Sequence, residues 1–240
     1  MTKILQGKIA VVSGASHGLG QAIATYFVSL NAGVVLLARH KEHLEAAAGP
    51  LRTKGGRVVT VSCDISQSKE VQQAAEQIVA EMGRVDILVN NAGIPAPRTF
   101  QDTNFADWDD VIGVNLSGAF YLTRALWDAL TRSGAGYVVN ISGTAGQRGG
   151  SSPAYGSAKF GLTALTRAIA VSGKAHNLRA TVLYPGGMDT GWRGAPIGTK
   201  PGTEIMDPQE VARFIGYLVS TPPEFVVNEA VLNPLADTWL

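Results

Sequence analysis

Tyr155 and Lys159 have side chains and a spacing that suit proton transfer. Residues four positions apart share one face of a helix, one turn apart, and apolar residues at helical spacing follow them. An adjacent ammonium favours the phenolate and lowers the pKa of a phenol, which is ordinarily ~10. The pair is therefore a candidate proton donor and acceptor near neutral pH, although the same spacing also arises by chance in many helices.

The length, composition and charge of the chain limit the class of protein to which it can belong. A chain of 240 residues with 45% apolar content can bury a large core. This favours one α/β domain over residues 1–240, the alternative being two small ones. The net charge of +1 gives no reason to expect nucleic acid or a membrane surface as a partner. The single Cys63 excludes an internal disulfide, and no secretory signal or membrane-spanning run is readable, so we expect a cytoplasmic protein without a metal site.

A glycine-rich turn joins the first predicted strand to the first predicted helix. Residues 8–13 form an almost continuous apolar run, as in a parallel strand buried on both faces, and the helix follows at 21–30. Glycines let the backbone approach a phosphate, and the free N–H groups of a helix N-terminus hold its charge. The turn is either a dinucleotide site or an ordinary glycine-rich connection. Its candidate binding residues are Gly14, Ser16, His17, Gly18, Leu19 and Gly20.

The residue after the second predicted strand (34–38) indicates which dinucleotide would bind. In dinucleotide-binding folds an acidic residue near this point binds the ribose 2′-hydroxyl, whereas an Arg accommodates a 2′-phosphate. This chain has Arg39, followed by His40 and Lys41. The basic position favours NADP(H) over NAD(H), unless these residues are only solvated charges at the start of a helix.

Strands and helices alternate along the rest of the chain. Five more short apolar runs are predicted strands, at 58–62, 85–89, 137–142, 179–184 and 225–232. The other predicted helices span 42–54, 66–82 with Ser66 as its cap, 105–132, the region after Tyr155, and 207–220. This alternation predicts an α/β fold, a Rossmann-like doubly wound sheet of about seven parallel strands with right-handed crossovers.

Polar residues interrupt the apolar pattern at two places. The stretch 90–93 (Asn-Asn-Ala-Gly) follows the fourth strand, at the edge where open α/β sheets bind ligands, and a plain turn is the alternative. Asn115 lies inside the predicted long helix, where an Asn competes with the backbone for hydrogen bonds and is mildly unfavourable. It is therefore either exposed or buried with a polar role.

The segment 188–202 has no clear period. It contains four glycines, two prolines and Trp192. Its place after the sixth strand predicts a mobile lid over a substrate, and a disordered loop is the alternative.

Together, five motifs resemble the short-chain dehydrogenase/reductase family in its small, single-domain form. They are the Gly14/Gly18/Gly20 turn, the stretch 90–93, Asn115, the Tyr155/Lys159 pair, and the stretch from Pro185 to Thr190. They occur in the family's order and rough spacing over nearly the whole chain. The resemblance implies an NADP(H)-dependent enzyme that interconverts a small-molecule carbonyl and an alcohol, assembled as a homodimer or homotetramer.

The resemblance also implies residue roles. Tyr155 would be the acid/base at the substrate oxygen, Lys159 would lower its pKa and bind the nicotinamide ribose, and Asn115 would hold a water on the proton path. The other cofactor contacts would be Asp64 and Ile65 at the adenine, Asn91, Ala92 and Gly93 on the adenosine side, and Pro185, Gly186 and Thr190 at the nicotinamide. A cofactor-binding protein with little turnover is the main alternative, and a double-bond reductase of the same fold is a third.

The chain departs from the family at two positions of minor weight for catalysis. Ser13 stands where the family usually has Thr, so a hydroxyl is kept. The Asp-Gly-Gly sequence that ends the last strand in many members is absent after Phe225, which leaves the assembly state open.

A third departure concerns the substrate-binding serine. The family often has this Ser thirteen residues before the Tyr, which gives Ser142 here. The local pattern Ser-Ser-x-x-Gly instead gives Gly143, followed by a loop one residue shorter. The two registers place the side chain on opposite faces of the strand. We expect Ser142 to be the donor, with Thr144 in reserve, because an oxygen donor is needed there.

Overall fold

Seven parallel strands form one sheet in the order β3-β2-β1-β4-β5-β6-β7. The computed structural model describes residues 4–150 and 152–237, with only the backbone of Arg193. The strands are β1 (Ile9–Ser13), β2 (Gly33–Ala38), β3 (Val58–Ser62), β4 (Ile87–Asn90), β5 (Tyr137–Ile141), β6 (Arg179–Pro185) and β7 (Glu229–Leu232). The strand order reverses between β1 and β4, so a crevice opens there at the carboxyl ends of the strands.

Helices cover both faces of the sheet, because the strand residues alternate between two apolar clusters. Val34 and Leu36 of β2 belong to one cluster, and Val35 and Leu37 to the other. The first face carries α1 (Gly18–Ser29), α2 (Lys41–Thr53) and α9 (Pro208–Ser220). The second carries α3 (Ser68–Met82), α5 (Gly118–Ala125), α6 (Trp127–Arg132) and α8 (Pro153–Gly173). The predicted doubly wound α/β sheet is confirmed. None of the helices described is long and apolar enough to cross a membrane.

The predicted single helix over 105–132 is wrong. The structure has α4 (Phe105–Ile112), a π-helical turn (Gly113–Ser117), then α5 and α6. Asn104 and Asp107 form a capping box at the start of α4. Asn115 lies in the π turn, where its side chain bonds to another segment of backbone. The unfavourable mid-helix Asn therefore coincides with the place where the regular helix is interrupted.

Several other predicted boundaries differ from the structure, and side-chain contacts accompany two of these differences. Ser66 does not cap α3, since its Oγ donates to Asp64 Oδ1 (2.8 Å) and the helix begins two residues later. β7 begins at Glu229 instead of residue 225, because carbonyls of the preceding segment accept from the Arg179 guanidinium, including Phe225 O (3.2 Å). A short helix, α7 (Ala145–Arg148), connects β5 to α8.

Candidate active site

A cleft of about 970 Å³ lies at the carboxyl ends of the central strands. It is bordered by residues from the glycine turn, from the ends of β2 to β6, and from the segment after β6. The predicted residues that line it are Gly14, Ser16, His17, Gly18, Leu19, Arg39, Asp64, Ile65, Asn91, Ala92, Gly93, Ser142, Tyr155, Lys159, Pro185, Gly186 and Thr190. Gly20 and Asn115 lie just behind its wall, in contact with lining residues.

The glycine turn is shaped for close backbone approach. Gly14 and Gly18 have φ angles of +65° and +57°, which L side chains rarely adopt. A Cβ on Gly20 would stand 2.2 Å from Gly14 O, so only glycine fits beneath the turn. α1 begins at Gly18, at the border of the cleft, and the N–H groups of its first turn have no partner within the helix. This cradle fits the pyrophosphate of a dinucleotide.

The stretch after β4 holds the glycine turn in place. Asn91 Nδ2 donates to Ser13 O (3.0 Å) and Gly14 O (3.3 Å). The Ser13 hydroxyl accepts from the backbone N–H groups of Asn91 (3.0 Å) and Ala92 (3.1 Å). Ser13 thus ties the ends of the two neighbouring strands together, which explains why a hydroxyl is useful at the start of this turn.

The far end of the cleft, after β2, is basic. Arg39, His40, His43 and His17 all border it. Ser62 Oγ donates to Arg39 O (2.7 Å) and so fixes the backbone at the end of the strand. Among the residues that the structure describes, no carboxylate lies within ion-pair distance of the Arg39 guanidinium. The exposed guanidinium is therefore available to an anionic ligand.

Tyr155 and Lys159 meet on α8 at the centre of the cleft. Lys159 Nζ lies 5.6 Å from the centroid of the Tyr155 ring and donates to Ile141 O (2.8 Å). The Lys159 side chain is buried, and desolvation lowers its pKa from the ordinary 10.5 to about 8. At neutral pH it remains mostly charged, because the pH is still below that value. The arrangement places a cation beside the phenol.

The titration of Lys159 gives a stability prediction. Between pH about 8 and 10.5, Lys159 is mostly protonated in the unfolded chain and mostly deprotonated in the folded chain. The free energy of unfolding therefore gains a contribution on the order of 3 kcal/mol as pH rises through this window. Lys159→Met removes the titrating group while keeping an unbranched side chain. Urea denaturation over this pH range should show a smaller rise for the variant than for the unmutated protein, and parallel curves would contradict the assignment.

Asn115 fastens the stretch after β4 to the π turn. Its Oδ1 accepts from Ile94 N (3.0 Å), and its Nδ2 donates to Ile94 O (3.0 Å). A Cβ on Gly93 would stand 2.5 Å from Asn115 Oδ1 and 3.7 Å from Lys159 Nζ, so the three residues are in close contact. Of the two alternatives that the sequence left open for Asn115, the structure has the buried one, and both ends of its amide are occupied by the backbone of residue 94.

The expectation that the Ser142 hydroxyl faces the substrate is corrected by the structure. Ser142 borders the cleft, but its Oγ is buried and donates to Lys159 O (3.0 Å), on the side of α8. The neighbouring Gly143 faces the phenol instead, since a Cβ there would stand 3.5 Å from Tyr155 Oη. Ser142 and Gly143 directly follow β5, and of the two only Gly143 is turned toward the phenol. Gly143 has a φ of +143°, so a side chain at this position would be strained.

Some residues that support the site were not singled out from the sequence. Asn140 lies fully buried in β5, where its Nδ2 donates to Thr166 Oγ1 (2.8 Å) and its Oδ1 accepts from Asn90 Nδ2 (2.8 Å). Asn90 Nδ2 also donates to Thr123 Oγ1 (2.9 Å). This buried chain joins β4 and β5 to the helices behind them. The signal available in the sequence was a polar amide inside an otherwise apolar strand, since buried polar groups require partners.

Comparison with known proteins identifies the family. The family model described as short chain dehydrogenase matches residues 8–196. The chain is 31% identical to 3-oxoacyl-(acyl-carrier-protein) reductase FabG of Pseudomonas aeruginosa, over 95% of this chain and 96% of that protein. It is 32% identical to glycine betaine reductase ATRR of Emericella nidulans over 96% of this chain, which spans only 19% of that longer protein.

A solved structure gives the same result. The alcohol dehydrogenase of the archaeon Thermococcus sibiricus, in an X-ray structure complexed with 5-hydroxy-NADP, superposes with a TM-score of 0.90 and 28% identity. The superposition covers 97% of this chain and 99% of that one. The matching family model, the relatives and this superposition together show the family. The chain belongs to the short-chain dehydrogenase family of oxidoreductases, which act on alcohol and carbonyl groups.

Proposed function

We propose that the protein is an NADP(H)-dependent oxidoreductase that interconverts a carbonyl and an alcohol. The observation that carries the proposal is the Tyr155 phenol beside the buried Lys159 ammonium, 5.6 Å from ring centroid to Nζ, at the centre of a cleft. The likeness to an alcohol dehydrogenase complexed with 5-hydroxy-NADP supports it. A nicotinamide bound in this cleft would supply the hydride in reduction and accept it in oxidation.

The residues that would hold the cofactor follow the cleft from end to end. The Gly14/Gly18/Gly20 turn, with Ser16, His17 and Leu19, would take the pyrophosphate. Arg39 would pair with the 2′-phosphate through charge-assisted hydrogen bonds. The remaining contacts would be Asp64, Ile65, Asn91, Ala92 and Gly93 on the adenosine side, and Pro185, Gly186, Thr190 and Lys159 on the nicotinamide side.

Proton transfer would belong to Tyr155. In reduction its hydroxyl gives a proton to the substrate oxygen, and in oxidation the phenolate takes that proton back. The Lys159 charge favours the phenolate form in both directions. The amide of Asn115 is engaged with Ile94, so its backbone carbonyl is the group that would hold a water on the path to Lys159.

The segment 188–202 would act as a lid on the substrate side. Its base is closed by Asp189 N donating to Met206 O (2.9 Å) and Met206 N donating to Gly187 O (3.0 Å). Within it, the Asp189 carboxylate accepts from Gly198 N (2.8 Å). Trp192 lies near the active tyrosine, with ring centroids 6.4 Å apart, and would form part of the substrate wall.

A cofactor-binding protein with little turnover is a second candidate, and Gly143 is the observation that favours it. A preorganised donor at a developing oxyanion is worth ~10²–10³-fold in rate. Gly143, which faces Tyr155 Oη, carries no side chain, so the position after β5 supplies no side-chain donor. The complete set of Tyr155, Lys159 and Asn115 favours the enzyme.

An assay of purified protein tests the proposal. NADPH and NADP⁺ are mixed with panels of ketones and alcohols, and the absorbance of the reduced nicotinamide is followed. We expect substrate-dependent oxidation of NADPH with at least one ketone and the reverse reaction with the matching alcohol. Tight NADPH binding without turnover of any compound would instead favour the second candidate.

The organisation of the chain beyond the site also remains a proposal. We propose one domain over residues 1–240, the first three and last three of which lie outside the described residues, in a cytoplasmic homodimer or homotetramer. Exposed apolar side chains on α5 and α8, such as Phe120 (48% exposed) and Val171 (78% exposed), support an assembly of copies.

A further inference from the structure

Among the residues whose side chains the structure describes, two cations line the cleft besides Arg39 and Lys159, and these are Arg98 and Lys200. Arg98 follows the Asn91–Gly93 stretch after β4, and Lys200 lies in the segment after β6. Both segments line the cleft, and the second also carries Trp192, whose ring centroid lies 6.4 Å from that of Tyr155. The lining between them is otherwise largely apolar, with Ile94, Pro95, Met188, Trp192 and Ile205.

Neither cation has an acidic partner in the described part of the chain. The ion pairs found there use other cations, such as Arg52 with Glu45 and Arg167 with Glu229. The one carboxylate that lines the described cleft is Asp64, after β3, and its Oδ1 accepts from Ser66 N (3.0 Å).

Acidic residues on the same two segments bond within their own loops. Thr99 Oγ1 donates to Asp102 Oδ2, and Gly198 N donates to Asp189 Oδ2 (2.8 Å). No ion pair found in the described part of the chain joins these carboxylates to Arg98 or Lys200, and the two cations beside apolar lining residues can attract an anion.

Gly143 gives a separate reason for a second anchor on the substrate. Of the predicted donors Tyr155 and Ser142, only Tyr155 is left for the reacting oxygen, because Ser142 Oγ donates to Lys159 O and Gly143 carries no side chain. A substrate held at its oxygen by one donor has more freedom to rotate out of position. A charged group bound at the other end would restrict it, since binding of remote groups orients the reacting centre.

We propose that the substrate carries an anionic group, a carboxylate or a phosphate, that Arg98 and Lys200 bind. This inference rests on the proposed function. In the proposed reduction a bound NADPH would supply a hydride to the carbonyl carbon, the C=O π electrons would move to oxygen, and that oxygen would take the Tyr155 proton, which a proton from solvent would then replace. NADP⁺ and a hydroxy compound result, and the anionic group is unchanged.

Matched substrate pairs test the inference. Oxo acids with the ketone at the second, third or fourth carbon are compared with their methyl esters, and dihydroxyacetone phosphate with dihydroxyacetone, under saturating NADPH. Charge-assisted hydrogen bonds predict a kcat/KM about 10–100-fold higher for the anionic member of a pair. A preference for the oxo acids over their esters identifies a carboxylate site, and a preference for dihydroxyacetone phosphate over dihydroxyacetone identifies a phosphate site. Equal or better turnover of the neutral members would overturn the inference.

Variants assign the effect to the two side chains. Arg98→Gln and Lys200→Gln should each raise KM for the anionic substrate about 10-fold and leave KM for the neutral partner unchanged. Lys69→Gln, which removes an exposed charge from α3, is the matched control and should change neither value. If the Arg98 and Lys200 variants weaken NADPH binding instead, these cations serve the cofactor phosphates and the inference is wrong.

Calorimetry separates this inference from the proposed function. If no compound is turned over, binding of the oxo acids and esters to the protein–NADP⁺ complex is measured directly. Tighter binding of the acids, lost in Arg98→Gln, would support the anion site although the proposed activity had failed. No preference for the acids would overturn the site.

Discussion

Tyr155→Phe is expected to lower kcat by ~10²–10⁴-fold, the usual contribution of a general acid–base group. The change removes one hydroxyl from the ring that faces the cleft and leaves the aromatic contact with Trp192 in place. Lys159 Nζ keeps its bond to Ile141 O, so the cofactor side of the site is undisturbed. The dissociation constant for NADPH, measured by fluorescence titration, should therefore stay within a factor of about two.

Tyr137→Phe is the matched control for this variant. Tyr137 lies at the start of β5, at the opposite end of the strand from the cleft, and its hydroxyl is 2.8 Å from Thr181 Oγ1. Loss of that buried hydrogen bond should cost ~1 kcal/mol of unfolding free energy and leave kcat unchanged. Substantial activity in Tyr155→Phe, or an equal loss in both variants, would sink the assignment of Tyr155.

Arg39→Asp is expected to reverse the cofactor preference from NADP⁺ to NAD⁺. The guanidinium is exposed at the end of β2 with no described carboxylate beside it, so a 2′-phosphate can bond to it directly. Loss of a charge-assisted contact costs ~1.5–3 kcal/mol. A carboxylate at this position also repels the 2′-phosphate of NADP⁺ and accepts a hydrogen bond from the ribose 2′-hydroxyl of NAD⁺. The ratio of the two dissociation constants should move by ~10²-fold or more.

Lys41→Asp makes the same charge change two residues away. Lys41 is the first residue of α2, and the cleft lining includes Arg39, His40 and His43 without it. We expect this control to alter the ratio by less than about 3-fold, since an exposed charge contributes little at a distance. Equal affinities of the unmutated protein for NADP⁺ and NAD⁺ would show that Arg39 is only a surface charge.

The sheet could be predicted from the sequence because its strands are buried on both faces. Residues 9–13 and 33–37 contact helices on each side, so the apolar run is nearly unbroken and its position is unambiguous. Local sequence was sufficient for the strands and for the glycine turn. Other lining residues, such as Asp64 and Thr190, were named from the resemblance to the family, and they share one edge of the sheet because they follow its strands.

Features that depend on contacts between distant residues were not predictable. The break in the 105–132 helix coincides with the Asn115 side chain that reaches Ile94, 21 positions earlier. The error at Ser142 has a different origin, since the local pattern indicated Gly143 and the spacing to Tyr155 indicated Ser142. The spacing was followed although the loop is one residue shorter, and that one residue decides whether a hydroxyl faces the substrate or α8.

The closed base of the segment after β6 has a consequence for how such a protein can change. Because Gly187 and Asp189 bond to Met206, the ends of this segment stay together whatever lies between them. Doubling the length of a flexible loop costs only ~0.6 kcal/mol in closure entropy. The residues between these two fixed ends can therefore be replaced by a different sequence. New substrate ranges can arise in this way while the sheet, the glycine turn proposed to hold the nucleotide and the residues proposed to transfer the proton are inherited unaltered.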